Sequence, residues 1–383
     1  MVLIIRDVMN CFVKESYGAM WHFYHNAHGI CYCKMTDENI TEYSVLLPEG
    51  QADFDVLVDD SNCIHMVLQT NSGDILYANH FNGQWRKTTL LESKSKEYYP
   101  KKIVLKRVNN WLNVLYCIEY NGRKMLTHQL VDSALGTPEV IDCIRNEFCC
   151  VQDSSGNIIL LYYSELHKAY GIKKYIWSKK KWDEFEKIKQ PEGGRNLFLF
   201  CDKNDVLHIL YDKNFNIYKI SGDEEVLLGT GQKPLMFFHR ENIIMWEGVS
   251  DNKVYVKKER DNAPTVIMSG SFSRPVRFGL RFTTYEDNLI ADCCLGNIIN
   301  GSVRMYGINN FFVISHTSPI SANSSGADDN FTYREMQKLK IKIDRLNEIV
   351  EKLQMQAEEY EDKKTDHHLT ETVVNKPKLF GLF

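Results

Sequence analysis

One stretch constrains the fold more than any other. Residues 58–68, Val-Asp-Asp-Ser-Asn-Cys-Ile-His-Met-Val-Leu, return in variant form along most of the chain. Residues 201–211 and 152–162 keep the same order of acidic residue, short polar turn and apolar strand-like run. Taking the residue that opens each such turn as an anchor gives Glu15, Asp59, Arg107, Asp153, Asp202, Glu241 and Glu286, at intervals of 39 to 49 residues. A period of this length, sustained over about three hundred residues, marks one supersecondary unit used repeatedly.

Four short runs recur inside a unit. The second unit shows them at 54–58, 63–69, 74–80 and 85–91, separated by Asn, Asp, Ser and Gly. Those separators build tight turns between antiparallel strands. A tyrosine marks the third run, at Tyr32, Tyr77, Tyr175, Tyr218, Tyr255 and Tyr306; the third unit has residues 125–130 in that place. Trp85 and Trp182 open fourth runs two units apart. A four-stranded antiparallel repeat of this size is the organisation of a propeller blade. Over roughly residues 1–315 the chain therefore resembles the β-propeller repeat proteins as a class. The expected fold class is all-β: a seven-bladed β-propeller of four-stranded blades, followed by a C-terminal coiled-coil helix. Neither a WD dipeptide nor a kelch Gly-Gly recurs from unit to unit, and no Asp-box occurs. Residues 2–6 read as a spare strand ahead of the first unit. The last unit has runs at 276–282, 288–295 and 303–308, and either 2–6 or 311–315 is expected as its outermost strand. Closure matters because an open ring leaves pairing edges bare.

Composition narrows the function classes. A formal net charge of −4 supplies no global field toward nucleic acid, and none is expected as a partner. The first residues, Met-Val-Leu-Ile-Ile-Arg-Asp, read as too short an apolar run for a signal peptide. No apolar run approaches the roughly 20 residues that span a bilayer, so no transmembrane segment is expected. The eleven cysteines form no CxxC and several lie in apolar runs, which suits small buried hydrophobes in a reducing cytoplasm.

Residues 316–330 are Ser-, Asn- and Asp-containing with no apolar periodicity, and read as a flexible linker. From 331 the period switches. Met336, Leu339, Ile343, Leu346, Val350, Leu353, Ala357 and Tyr360 alternate steps of three and four, an a/d seam over residues 331–364. β-Branched residues at a with Leu at d favour a parallel two-stranded coil, hence a homodimer. Residues 365–383 read as a disordered tail ending in a hydrophobic peptide. Lys376, Lys378, Leu379, Phe380, Leu382 and Phe383 suit docking to an unknown protein partner.

Candidate chemistry is sparse. Asp59, Asp153 and Asp202 read as turn caps, and His65 and His208, each six residues after its acid, as packing positions. His22, His25, His28, Cys31 and Cys33 are zinc-competent, but their spacing matches no zinc site, so no metal is assigned. Lys173, Lys174 and Lys179–Lys181 interleave with Tyr175, Trp177 and Trp182; the lysines should face solvent and the aromatics the blade. No GxSxG, HExxH, Walker A or dinucleotide fingerprint occurs, so neither catalytic residues nor a cofactor are assigned. The expected function is a non-catalytic scaffold whose propeller face binds a protein. The alternatives are a glycan-binding lectin using Trp21, Trp111 and Trp246 between blades, and a hydrolase with paired carboxylates in the channel.

Overall fold

The computed structural model describes residues 10–315 apart from the short stretches 17, 36–42, 95–98, 132–135, 146, 189–192, 223, 250–252, 269–274, 283–288, 300–301 and 307–313. The chain divides into Met1–His316 and Thr317–Phe383. The expected linker, the heptad seam from Met336 to Tyr360, the tail from Lys376 to Phe383 and the strand at 2–6 all lie outside the described residues. Within them every element is a strand except one 3-10 turn at Trp177–Lys179. No helix of the described residues is long and apolar enough to cross a membrane.

The strands follow one another as antiparallel meanders. The first is Asn10–Lys14, Met20–Asn26, Gly29–Met35 and Ser44–Leu47; the second is Gly50–Val58, Ile64–Thr70, Ile75–Phe81 and Gln84–Leu91. The third is Val104–Val108, Trp111–Tyr120, Arg123–Val131 and Glu139–Ile144. The fourth is Cys149–Gln152, Ile158–Ser164, Ala169–Ile176 and the short pieces Lys181–Trp182 and Glu186–Lys187. Arg195–Cys201, Leu207–Lys213, Asn216–Ser221 and Glu224–Thr230 make the fifth. Gln232–His239, Glu241–Glu247, Lys253–Lys258 and Thr265–Met268 make the sixth. The last meander holds Val276–Phe282, Cys293–Ile299, Ser302–Met305 and Ile314–Ser315. Among the described residues its outermost strand is Ile314–Ser315, which lies in the second of the two sequence candidates.

Turn chemistry explains why the period is so regular. Four hairpins between first and second strands, 15–19, 59–63, 153–157 and 202–206, share one backbone pattern. The opening residue's N–H donates to the carbonyl four residues on, and its carbonyl accepts from the N–H three residues on, all at 2.8–3.0 Å. The fourth position takes left-handed backbone in each, at Gly18, Asn62, Gly156 and Asp205. In three of them an aspartate closes the turn from the side chain. Asp59 Oδ1 accepts the amides of Ser61 and Cys63, Asp153 Oδ1 those of Ser155 and Asn157, and Asp202 Oδ1 those of Asn204 and Val206. This is the capping role expected of the recurrent acid.

Neighbouring hairpins also hold one another. Ser16 donates from its N–H and hydroxyl to Asn62 Oδ1, at 2.8 and 2.9 Å. Ser154 does the same to Asp205, at 2.8 and 2.5 Å. Arg107 of the third meander reaches Asp60 of the second at 2.9 Å. Gly156 lies so near Val108 that a Cβ there would meet its Cγ1 at 2.8 Å. Lys203 sits over the Phe238 ring at 4.8 Å. The turns joining first to second strands thus line up along one rim from the first meander to the sixth.

Apolar side chains fill the spaces between meanders. Val13, Phe23, Phe54 and Met66 pack first against second, and Leu57, Val67, Leu105 and Val114 second against third. Leu115, Leu126, Leu160 and Tyr175 pack third on fourth, Val151, Leu161, Leu199 and Ile209 fourth on fifth, and Phe200, Leu210, Phe238 and Trp246 fifth on sixth. A larger cluster joins sixth, last and first through Phe12, Phe237, Met245, Phe278 and Cys294. Packing therefore returns to where it began. A seam seals the return: Asn10–Lys14 pairs in parallel with Val276–Phe282, from Asn10 opposite Phe278 to Lys14 opposite Phe282.

The last meander departs from expectation at its second run. The apolar stretch around 288–295 splits, so that Leu289–Ile290 pairs with the sixth meander (Phe238 opposite Ile290) while Cys293–Ile299 pairs with Val276–Phe282. Periodicity detects an apolar run, but not that its two halves serve different sheets. All-β and propeller-like is the resulting architecture.

Candidate functional site

The rim of first-to-second-strand turns carries the most elaborate polar arrangement. Asp59, Ser61, His65 and Tyr77 of the second meander and Arg107 and Asn110 of the third surround a cavity of about 390 Å³, with Leu112 and Val131 at its apolar side. The hairpin fixes Asp59, and Asp59 then fixes His65, whose Nε2 lies 3.2 Å from Asp59 Oδ2. On the other side of the ring, Nδ1 is 2.7 Å from the Tyr77 hydroxyl. With the carboxylate accepting from Nε2–H, Nδ1 accepts from the phenol. Burial lowers the imidazole's pKa, and the bond to Asp59 opposes this without cancelling it, so His65 is neutral near pH 7. Burial likewise raises the Tyr77 phenol, helped by Cys63 and Asp59. Arg107 is held by Asp60 and leans on Asn110 Oδ1 at 3.4 Å.

Donor atoms of Asp59, Cys63 and His65 all lie within 4.8 Å of one another. Their chemistry is nevertheless self-satisfied. Asp59 is engaged at both oxygens, and the Cys63 thiol is pushed up to about 11, first by burial and then by Asp59. The fifth meander repeats the pair without the cysteine: His208 Nε2 is 3.0 Å from Asp202 Oδ2 and Nδ1 2.6 Å from Ser221 Oγ, with Val206 in place of Cys63. The acid–histidine pair therefore belongs to the repeat and holds its second strand to the turn.

Next to the cavity, Trp111 follows Asn110 directly, and its ring centre is 6.2 Å from that of Trp177. Both rings are half-buried. The Trp177 amide donates to Asn157 Oδ1 at 3.0 Å, which ties this turn to the fourth hairpin. Lys180, in left-handed backbone after the 3-10 turn, places its Nζ 4.2 Å from the Trp111 ring centre. Lys179, Lys180 and Lys181 are all exposed. Polar cavity, aromatic pair and lysines form one stretch of rim across the second, third and fourth meanders.

Other sequence candidates fare differently. Trp21 and Trp246, proposed above as ring platforms between blades, are 4% and 0% exposed and fill the core. Trp246 donates its indole N–H to the Thr230 carbonyl at 3.0 Å. Of the three, Trp111 alone reaches a surface. Tyr175 and Trp182 face inward as expected, at 2% and 8%, but Trp177 does not, because the 3-10 turn lifts it out of the strand's alternation. Lys174 is bound to Asp153 at 2.6 Å. The zinc-competent group disperses: His22 stacks on Phe12 at 4.3 Å and reaches Asn10 at 3.0 Å, while Cys33 is buried with its thiol pushed up to about 12 by desolvation. Paired carboxylates with a raised member are not found among the described residues. The displaced carboxyls, Asp74, Asp153, Asp202 and Glu165, are all held low. The heptad positions and the tail residues lie outside the described residues. Sequence reasoning missed the Trp111–Trp177 pair because its members stand in different repeats; the pair of lysine run and tryptophan was the visible signal.

No protein-family model matches the chain, and no curated protein matches it. Among solved structures it is similar to an ulvan lyase, described as a new family of polysaccharide lyase and bound to -[GlcA(1-4)Rha3S]-, at 11% identity over 80% of this chain and 93% of that one, with a TM-score of 0.54. It is also similar to the six-bladed β-propeller lectin of Aleuria aurantia (8% identity, 70% of this chain, 96% of that one, TM-score 0.46). A third is the β-propeller domain of the Trilobed protease from Pyrococcus furiosus (10% identity, 70% and 85%, TM-score 0.45). At these identities the likeness is one of fold.

Proposed function

We propose that this propeller-like chain is a non-catalytic binding protein whose turn rim holds a short acidic saccharide. The observation that carries this reading is the junction of the polar cavity with the half-buried Trp111–Trp177 pair and the exposed Lys179, Lys180 and Lys181. A sugar offers hydroxyls on its edge and C–H groups on its faces, so it is gripped by fixed polar groups beside an aromatic surface. Asp59, Asn110 and Arg107 are fixed polar groups of that kind, held by their own neighbours. Lys180 now rests on the Trp111 face, a contact worth about 0.5–1 kcal/mol at an exposed site. A uronate or sulfate would draw its ammonium away and open the ring, which favours an acidic over a neutral ligand.

The test is binding of the full chain to acidic and neutral oligosaccharides, by calorimetry or a glycan array. Acidic saccharides should bind, and Trp111→Ala should weaken them about tenfold or more, the loss of about 1.4 kcal/mol of ring contact. Absence of binding, or binding that Trp111→Ala leaves unchanged, overturns the reading.

The remaining parts of the proposal rest on sequence pattern. The ring has seven blades, one for each of the anchors at 39 to 49 residue intervals. The seam at 336–360 dimerises the chain as a parallel coil and so doubles the rim, which favours a polyvalent ligand by avidity. The tail from Lys376 to Phe383 engages a protein partner, and the protein works in the cytoplasm. Affinity capture with and without residues 376–383 tests the tail, and an unchanged partner list ends that idea.

A further inference from the structure

The opposite rim shows a different pattern. Because second and third strands run antiparallel, the turns joining them lie at the far end of the sheets from the clasped hairpins. In four consecutive meanders, third to sixth, these turns present a large apolar side chain to solvent: Tyr120 at 67%, Leu166 at 76%, Phe215 at 57% and Val249 at 42% exposed. Each stands within four residues of a cation, Arg123, Lys168, Lys213 and Lys253 respectively, and of an acid, Glu119, Glu165, Asp212 and Glu247. At the fourth meander two cations, Arg145 and Lys168, share the single carboxylate of Glu165 at 2.7 and 2.6 Å, leaving that tip net positive.

One tip bears a cost that the fold alone does not explain. Lys213 and Asn216 face each other across a two-residue turn in which both Asn214 (φ 51) and Phe215 (φ 60) have positive φ. Such turns favour Asn-Gly, and the third meander has it, Asn121-Gly122 with φ 51 and 70. A phenylalanine in left-handed backbone is strained, and here its ring packs against no core. The strain is retained in favour of an aromatic tip.

We propose that these four tips form a membrane-docking face that inserts into the interfacial layer of an anionic lipid bilayer. The apolar groups sit on separate protrusions rather than in one groove, so a flat, laterally fluid surface meets all of them at once. A protein partner would instead be matched by a contiguous patch. At the tips of the third and fourth meanders cations outnumber acids, Arg123 and Lys124 against Glu119 and Arg145 and Lys168 against Glu165, so these tips complement anionic headgroups while the apolar side chains enter. One inserted side chain binds a membrane marginally, and several on one rigid frame bind together. This face is independent of the saccharide rim and leaves it pointing away from the bilayer.

Co-sedimentation of the full chain with phosphatidylcholine vesicles, with and without phosphatidylserine, tests the proposal. Binding is expected to the phosphatidylserine vesicles and to weaken as salt is raised. The double change Leu166→Ser with Phe215→Gly should reduce it about tenfold or more, as removal of two inserted side chains requires. Phe215→Gly by itself should raise the thermal midpoint while lowering vesicle binding, a combination that misfolding cannot produce. Failure to bind either vesicle, or equal binding by the double variant, overturns the proposal. So does engagement of a soluble protein by these tips without vesicle binding.

Discussion

His128 shows how a single buried group ties stability to pH. It is 3% exposed between the third and fourth meanders, with Nε2 3.0 Å from Asn113 Oδ1 and the rings of Tyr175 and Trp182 at 4.9 and 5.4 Å. Burial lowers its pKa from 6.5 to about 4. The unfolded chain therefore takes up a proton near 6.5 that the folded chain refuses until about 4, so falling pH favours unfolding across that window. Stability from this group is complete above 6.5 and up to about 3 kcal/mol of it is lost by pH 4. Urea midpoints measured from pH 7 to pH 4 should fall, and His128→Gln should flatten the decline. Asp202 acts lower on the scale. Burial alone would raise it, but the bonds from His208, Asn204 and Val206 outweigh that and hold it low. Its contribution is complete above the ordinary carboxylate range and is lost below it. Asp202→Ala removes two turn caps and the partner of His208, and should cost about 1–2 kcal/mol in chemical denaturation. At this scale the sequence is readable where a role repeats. Asp59 and His65 stand out because Asp202 and His208 echo them. Tyr77 and Arg107 stand out as a repeated tyrosine and a turn anchor, but their links to His65 and Asp60 cross from strand to strand and from repeat to repeat and leave no sequence sign.

Among elements, the meander is the unit that periodicity finds. The expected runs 54–58, 63–69, 74–80 and 85–91 become Gly50–Val58, Ile64–Thr70, Ile75–Phe81 and Gln84–Leu91, because Asn, Asp and Gly turns punctuate both descriptions. The seam between Asn10–Lys14 and Val276–Phe282 has no such local sign, since parallel pairing of distant strands leaves no turn to read. Its weak point is Gly279, opposite Cys11, where an added Cβ would meet Cys11 Sγ at 3.1 Å. Gly279→Val should overfill this contact and lower unfolding free energy by about 1–3 kcal/mol, read from denaturation curves. An unchanged midpoint would mean that the first and last meanders are not held by this pairing.

For the whole molecule, composition and repeat together announce an all-β ring-like chain followed by a heptad segment, and the described residues bear out the propeller-like part. The proposed surfaces were less legible, because each is assembled across meanders: the turn rim from the second, third and fourth, and the opposite tips from the third to the sixth. A peptide of residues 331–364 should sediment as a dimer at high micromolar concentration, whereas a monomer would contradict the coiled-coil proposal.

The seam also sets a timetable. Asn10 finds its parallel partner only when Phe278 has been synthesised, so the first meander must wait through most of translation with one edge unpaired. Closing so long a loop costs entropy before any contact repays it, which makes this the late and slow event of folding. Until then the waiting edge is open to other chains, and crowded nascent copies would pair there before they could close.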